Sequence, residues 1–207
     1  SPDYFIGYAR PRAGQPDGRW PEHQQEGAVV GRFDGKVVMV TGGARGQGRS
    51  HAVAFAKEGA EIAVTDIAKQ VETVPYGMSS EADLAETVAQ VEALDRRCLS
   101  FIADARDTAA MNAAVESTIS EFGQIDVLIV NHGLLSLSPV AEMSDAVWDD
   151  VISSDLTGVF KSIRAVIPHM VGAKTGRIIA TASMAGRTGL PTVAHYCAAK
   201  WGVIGLI

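Results

Sequence analysis

The sequence predicts an α/β fold, a doubly wound parallel sheet with helices on both faces, and three observations carry that prediction. From residue 36 onward, short apolar runs alternate with helical patterns, the order of a parallel sheet with crossover helices. The first run, Lys36-Val37-Val38-Met39-Val40, opens directly into the glycine-rich turn Thr41-Gly42-Gly43-Ala44-Arg45-Gly46-Gln47-Gly48 and then into a helix. The second run, Glu61-Ile62-Ala63-Val64-Thr65, closes on an acid, Asp66.

Strands are expected over residues 36–40, 61–65, 98–103, 125–130 and 177–181. Helices are expected over residues 47–57, 80–96, 108–121 and 145–171, and from 194 to the end. Pro168 should kink or end the fourth helix, because its ring removes an amide donor. With the strand order 3-2-1-4-5, the switch point falls between the first and fourth strands. Gly42, Asp66, Asp104, Asn131 and Ser183 then converge at the carboxyl ends of the strands, where such sheets bind ligands.

Composition bounds the function. At 207 residues the chain is long enough for one sizeable core, and 47% hydrophobic with 20% charged residues excludes general disorder. A net charge of -6 argues against nucleic acid and anionic membrane as partners, and no apolar run approaches the ~20 residues that span a bilayer. Cys98 and Cys197 lie too far apart for a metal pair, and the histidines show no ligand spacing, so no metal is expected. Reduced thiols in a cytoplasmic setting follow. Residues 1–32 differ: four prolines, several glycines and no helical or strand period read as an extended arm without the apolar core of a secretory signal. Its aromatic residues, among them Tyr4, Phe5, Tyr8 and Trp20, suit packing on its own domain or a neighbouring subunit as well as a free leader. The remainder, residues 33–207, is expected to form one domain.

The glycine turn carries the first chemical signal. Glycines permit a tight turn and close backbone approach, and the following helix offers unpaired N–H groups and a positive dipole end to a pyrophosphate. The spacing is G-x-x-x-G-x-G rather than G-x-G-x-x-G. Asp66 can accept hydrogen bonds from both adenosine ribose hydroxyls and would repel a 2′-phosphate, which favours NAD over NADP. Arg45 stands against this, since a guanidinium in the turn can pair with that phosphate. It can equally lay its stem over the adenine or face water. Asp104 is a candidate partner for the adenine amino group, and an acid at a strand end is as often a helix cap.

The second signal is Tyr196-Cys197-Ala198-Ala199-Lys200, with Ser183 upstream. On a helix, Tyr196 and Lys200 share a face. A free tyrosine titrates near pKa ~10, and a neighbouring ammonium stabilises the phenolate, which suits the pair to alcohol or ketone chemistry. Ser183 follows the last apolar run, where its hydroxyl can bond a substrate oxygen.

Together these segments resemble the short-chain dehydrogenase/reductase family, with its Rossmann-like fold, over residues 33–207. Within it, Gly46–Ala52, Asp66-Ile67, Val74-Pro75-Tyr76, residues 103–107 and residues 195–200 are similar to the mycofactocin-coupled subgroup, which includes carveol-dehydrogenase-like proteins. The resemblance implies NAD-dependent interconversion of a secondary alcohol and a ketone. Tyr196 would be the acid/base, Lys200 the holder of the nicotinamide ribose, and Ser183 the group that orients the substrate. It further implies cofactor contacts from Gly42, Arg45, Gly46, Gln47, Gly48, Asp66, Ile67, Asp104, Ala105, Asn131, Gly133, Tyr196 and Lys200. Tightly held NAD and a homotetramer complete the expectation.

Three features depart from the family pattern. Asn131-His132-Gly133 places a histidine where a methyl group is usual, open to reading as a surface substitution, a pocket residue or a steric block. Asp155 occupies the place of a catalytic asparagine that helps hold a water beside the lysine. An aspartate can hold that water too, while adding a charge that favours the ammonium and opposes the tyrosinate. The chain also stops at Ile207, inside the active-site helix, where the family continues with two more strands and a substrate-covering segment. It therefore reads as a fragment whose edge strand, without a neighbour, favours association or aggregation. A competing function class is a degenerate dinucleotide-binding protein without turnover. The substrate loops near residues 134–140 and 186–193 are apolar, which suits a hydrophobic alcohol or ketone.

Overall fold

The computed structural model describes residues 31–207, so the expected N-terminal arm lies outside the described residues except at its last two positions. Five parallel strands, β1 (Val37–Thr41), β2 (Glu61–Asp66), β3 (Cys98–Ile102), β4 (Val127–Val130) and β5 (Arg177–Ala180), lie in the order β3-β2-β1-β4-β5. Register is direct across the centre, with Val38 opposite both Ile62 and Val127. The central strands β1 and β4 are buried along their whole length, as a sheet covered on both faces requires.

Alternation along the strands sorts the core into two layers. Val38 and Val40 of β1, with Ile62, Val64 and Ile129, pack under Ala52 and Ala56 of α1 (Gly46–Lys57) and Leu84 and Val91 of α2 (Glu81–Glu92). Met39, Ala63, Leu128 and Val130 face the other way. They meet Ala114 and Val115 of α3 (Thr108–Phe122), and Ile163 and Val166 of the helix after β4. At the entry to the domain, the Phe33 ring packs edge-on against Phe55 at 4.6 Å, and the exposed Arg32 pairs with the half-buried Glu58.

The expected fourth helix, 145–171, is interrupted. It divides into α4 (Asp145–Ile152), a π turn (Ser153–Gly158) and α5 (Val159–Ala173). Pro168 does not end α5, which runs five residues past it; the break is the π turn, a feature frequent at functional sites. Strand boundaries differ from expectation by one or two residues, with β2 reaching Asp66 and β4 beginning at Val127. The second helix stops at Glu92, followed by a left-handed Asp95, rather than reaching Arg96. A short 3-10 turn (Met184–Gly186) and α6 (Ala194–Leu206) complete the described chain. No described helix is long and apolar enough to cross a membrane.

Candidate active site

The glycine turn after β1 forms one wall of a cleft of about 230 Å³ at the carboxyl edge of the sheet. Gly42 and Gly46 adopt left-handed backbone, at φ +66° and +56°, which glycine adopts without steric cost. Gly48 serves contact instead. A Cβ there would lie 2.0 Å from the Gly42 carbonyl oxygen, so the first turn of α1 can seat against the strand end only without a side chain. Helices α2, α3 and α4 are capped by Ser80, Asp107 and Ser144. The N-terminus of α1 has no side-chain cap and no acid in its first turn. Its amides therefore remain available where the turn opens on the cleft.

Asp66, at the end of β2, is buried. Its carboxylate accepts from the Ala44 amide at 3.0 Å, the Ala68 amide at 3.0 Å and the Ser79 hydroxyl at 2.5 Å. A carboxylate has about four acceptor sites, so capacity remains for a further donor from the cleft. Asp104, two residues beyond β3, is gripped by the Arg106 fork, whose Nη2 lies 2.8 Å from Asp104 Oδ2 and whose Nη1 lies 2.6 Å from Asp150 Oδ1. Partial burial opposes ionisation of Asp104, yet the Arg106 hydrogen bonds and charge hold its carboxyl below the usual range. The cleft is also lined by Arg45, Ile67, Ala105, Asn131 and Gly133. Gln47, exposed, and Gly48, buried, are in the first turn of α1 and do not line the cleft.

Ser183, Tyr196, Lys200 and Asp155 lie outside that lining, on the next elements of the carboxyl edge. Lys200 is almost wholly buried; its Nζ donates to the Thr181 carbonyl at 3.1 Å and sits 5.4 Å from the centre of the Tyr196 ring. The expected shared face of α6 is thus present. Asp155 in the π turn is fully buried, with Oδ1 accepting the Leu134 amide at 2.6 Å and Oδ2 3.4 Å from Lys200 Nζ without a hydrogen-bond partner. Burial pushes its carboxyl up to about 6, against the pull of Lys200 and the Leu134 amide. Gly202 brings the two elements together, since a Cβ there would meet Leu156 at 2.8 Å. Ser183 follows β5 by three residues rather than ending it. Its Oγ accepts the Ala185 amide at 3.1 Å, which leaves its own hydrogen free to donate.

A chain of side chains joins the two parts. Asn131 Nδ2 donates to the Gly42 carbonyl at 3.4 Å, Thr181 Oγ1 donates to Asn131 Oδ1 at 3.2 Å, and the Thr181 carbonyl accepts from Lys200. Sequence reasoning missed Ser79, Arg106 and Thr181. Only Arg106 left a trace, in the alternating charges of Asp104-Ala105-Arg106-Asp107. Both cysteines are free thiols, and burial raises Cys98 to about 12. Among the described residues no cluster of three or more His, Cys, Asp or Glu could hold a metal ion.

Comparison with known proteins agrees with this architecture. The chain is 42% identical to a putative short-chain type dehydrogenase/reductase of Mycolicibacterium smegmatis, an alignment that covers 86% of this chain and 65% of the relative. It is 36% identical to a (-)-trans-carveol dehydrogenase of Rhodococcus erythropolis, over 86% of this chain and 65% of that protein. The crystal structure of a carveol dehydrogenase from Mycobacterium avium in complex with NAD superposes with a TM-score of 0.82 at 43% identity, covering 85% of this chain and 64% of that one. The chain therefore spans just under two thirds of the length of these relatives. The model of the short-chain dehydrogenase family matches residues 36–207, from the first strand through the last helix, and the chain belongs to that family.

Proposed function

We propose that this protein is an NAD-dependent oxidoreductase that interconverts a secondary alcohol and a ketone. The observation that carries the reading is the placement of the Lys200 ammonium, buried and 5.4 Å from the Tyr196 ring, beside a cleft floored by an uncapped helix and a glycine turn. The residues present fit a dinucleotide: backbone amides of α1 for the pyrophosphate, spare acceptor capacity on Asp66 for ribose hydroxyls, and Asn131 at the switch between β1 and β4. Asp66 stands against a 2′-phosphate, and exposed Arg45 is free to swing clear of it. The M. avium relative solved with NAD supports the same choice.

A nicotinamide dinucleotide held by the α1 amides, Asp66 and Asn131 would supply the hydride acceptor for the carbinol carbon. Ser183 donates its hydroxyl hydrogen to the substrate oxygen and fixes its direction. Tyr196 Oη takes the hydroxyl proton as the carbonyl forms, or returns it in reduction. The Lys200 ammonium stabilises negative charge arising on the phenol oxygen and would hold the nicotinamide ribose. Asp155 supplies the counter-charge to Lys200.

The finer reading extends to a mycofactocin-coupled, carveol-dehydrogenase-like enzyme with slowly released NAD. Residues 67–79 form a strap beside the cleft. The Gln70 side-chain amide donates to the Val71, Val74 and Tyr76 carbonyls, Thr73 bonds Asp150 at 2.7 Å, and the Tyr76 hydroxyl accepts the Leu135 amide at 3.1 Å. Such ties oppose the opening that release requires. Leu135, Leu137, Met184 and Leu190 are exposed around the Ser183 and Tyr196 segments, which favours an apolar alcohol. Exposed Trp148, Phe160, Ile167 and Val171 on α4 and α5 suit a homotetramer, and the setting proposed is cytoplasmic.

The test is binding and turnover with carveol as probe. Calorimetry should give tighter binding of NAD than NADP, and carveol with NAD should yield carvone and NADH in equal amounts. Equal or tighter NADP binding would reject the cofactor assignment; failure to oxidise carveol or any of a panel of apolar secondary alcohols would reject the activity.

A further inference from the structure

His132 is bonded on both sides of its ring. Nδ1 lies 2.7 Å from Thr41 Oγ1 at the end of β1, and Nε2 lies 3.2 Å from the Ser154 carbonyl oxygen in the π turn. A carbonyl only accepts, so Nε2 carries the hydrogen. The ring is neutral, because burial and then the charge of Lys200 push His132 down to about 4, against the weaker pull of the Ser154 carbonyl, Asp104 and Asp66. Nδ1 is then a bare acceptor for the Thr41 hydroxyl. That hydroxyl in turn accepts the Asn131 amide at 3.1 Å. The surroundings are cut to the ring: a Cβ at Gly42 would come within 2.7 Å of His132 Cα, and one at Gly158 within 3.0 Å of Nε2.

The same two segments are joined a second time. His132 bonds Ser154, and Leu134, two residues on, gives its amide to Asp155, the residue after Ser154. Among the described residues the other Asp155 oxygen has no hydrogen-bond partner, and it faces Lys200 at 3.4 Å. The seat of the π turn therefore decides how the carboxylate meets the ammonium.

Resting on the proposed roles of Tyr196 and Lys200, we infer that His132 is a positioning residue whose Nε2–H tautomer staples the π turn to the end of β1 and so fixes Asp155 against Lys200. The ring lines the cleft and is bonded on both sides, so it is neither a surface substitution nor a free pocket group.

Three measurements on the intact protein test this. Ring 15N shifts should show neutral His132 protonated on Nε2 from pH 5 to 8. Amide exchange at Leu134 should accelerate about tenfold in His132→Ala and return toward the parent rate in His132→Gln, whose side-chain amide can still donate to Ser154. Carveol oxidation in His132→Ala should lose about tenfold in kcat with KM and NAD affinity within about twofold, and His132→Gln should regain most of it. An Nδ1–H tautomer, unchanged Leu134 exchange in His132→Ala, or equal impairment of the Ala and Gln variants would overturn the inference. If the parent protein lacks turnover, the functional reading fails, while the tautomer and exchange readouts still decide the staple.

Discussion

The two ends of the site are built from different materials. At the glycine-turn end, backbone does the work: uncapped amides of α1, glycines that let main chain touch main chain, and a carboxylate, Asp66, held by three donors. At the Tyr196 end the work falls to side chains. There the buried carboxylate, Asp155, accepts the Leu134 amide on one oxygen, while its other oxygen faces Lys200 and has no hydrogen-bond partner among the described residues. The difference teaches how each end should respond to change. The first depends on fit, and a misplaced atom is costly; the second depends on charge, and a neutral substitute of the same shape is tolerated but retuned.

The sharpest way to break the comparison is Gly48→Ala. One methyl group directed at the Gly42 carbonyl should displace α1 from the strand end, weaken NAD binding by about 100-fold or more, and destabilise the fold by about 2–4 kcal/mol. Calorimetry and thermal denaturation read both. Near-parental NAD affinity would mean that the glycine turn does not form the cofactor seat.

A smaller effect is expected for Asp66→Ala. It leaves the Ala44 and Ala68 amides and the Ser79 hydroxyl short of an acceptor, at about 1–3 kcal/mol. The preference for NAD over NADP should narrow by about tenfold. An undiminished preference in competitive binding would transfer cofactor choice to a residue other than Asp66.

These contrasts bear on what was legible beforehand. The first strand and the glycine turn were readable because they are local: an apolar run, a glycine spacing and a helical period lie within thirty residues of each other. The π turn was not, because Ser153–Gly158 preserves the helical run on either side and adds only a slight change of phase. The state of Asp155 depends on α6 seating Gly202 against Leu156, a contact across more than forty residues that no spacing announces. Ser183 was foreseen at the edge of the sheet, but its place as the cap of a 3-10 turn beyond β5 was not, since Ala180-Thr181-Ala182 continues the apolar pattern. Arg106 was hidden for a similar reason: its partner Asp150 belongs to α4, forty-four residues away.

The smallest effect should come from Asp155→Asn. The folded carboxyl sits near 6, above its unfolded value, so the folded state holds the proton longer. Asp155 then costs no stability below about pH 4, and its cost grows as pH rises toward 6 to a plateau of about 3 kcal/mol. In Asp155→Asn this fall in stability between pH 4 and 6 should disappear, as read by denaturant titration at several pH values. The rise of alcohol oxidation with pH should also move to lower pH, because a negative charge beside Lys200 is gone. A pH-stability curve identical to the parent's would show that Asp155 does not titrate in that range.

Separation of the two ends is tested most directly by following deuterium from carveol labelled at the carbinol carbon, in the parent and in Tyr196→Phe. The account predicts one deuterium delivered to NAD for each carvone formed by the parent. In Tyr196→Phe transfer should fall by about 10³-fold while NAD affinity stays within about threefold. Undiminished deuterium transfer in Tyr196→Phe, or loss of NAD binding in parallel with turnover, would contradict it.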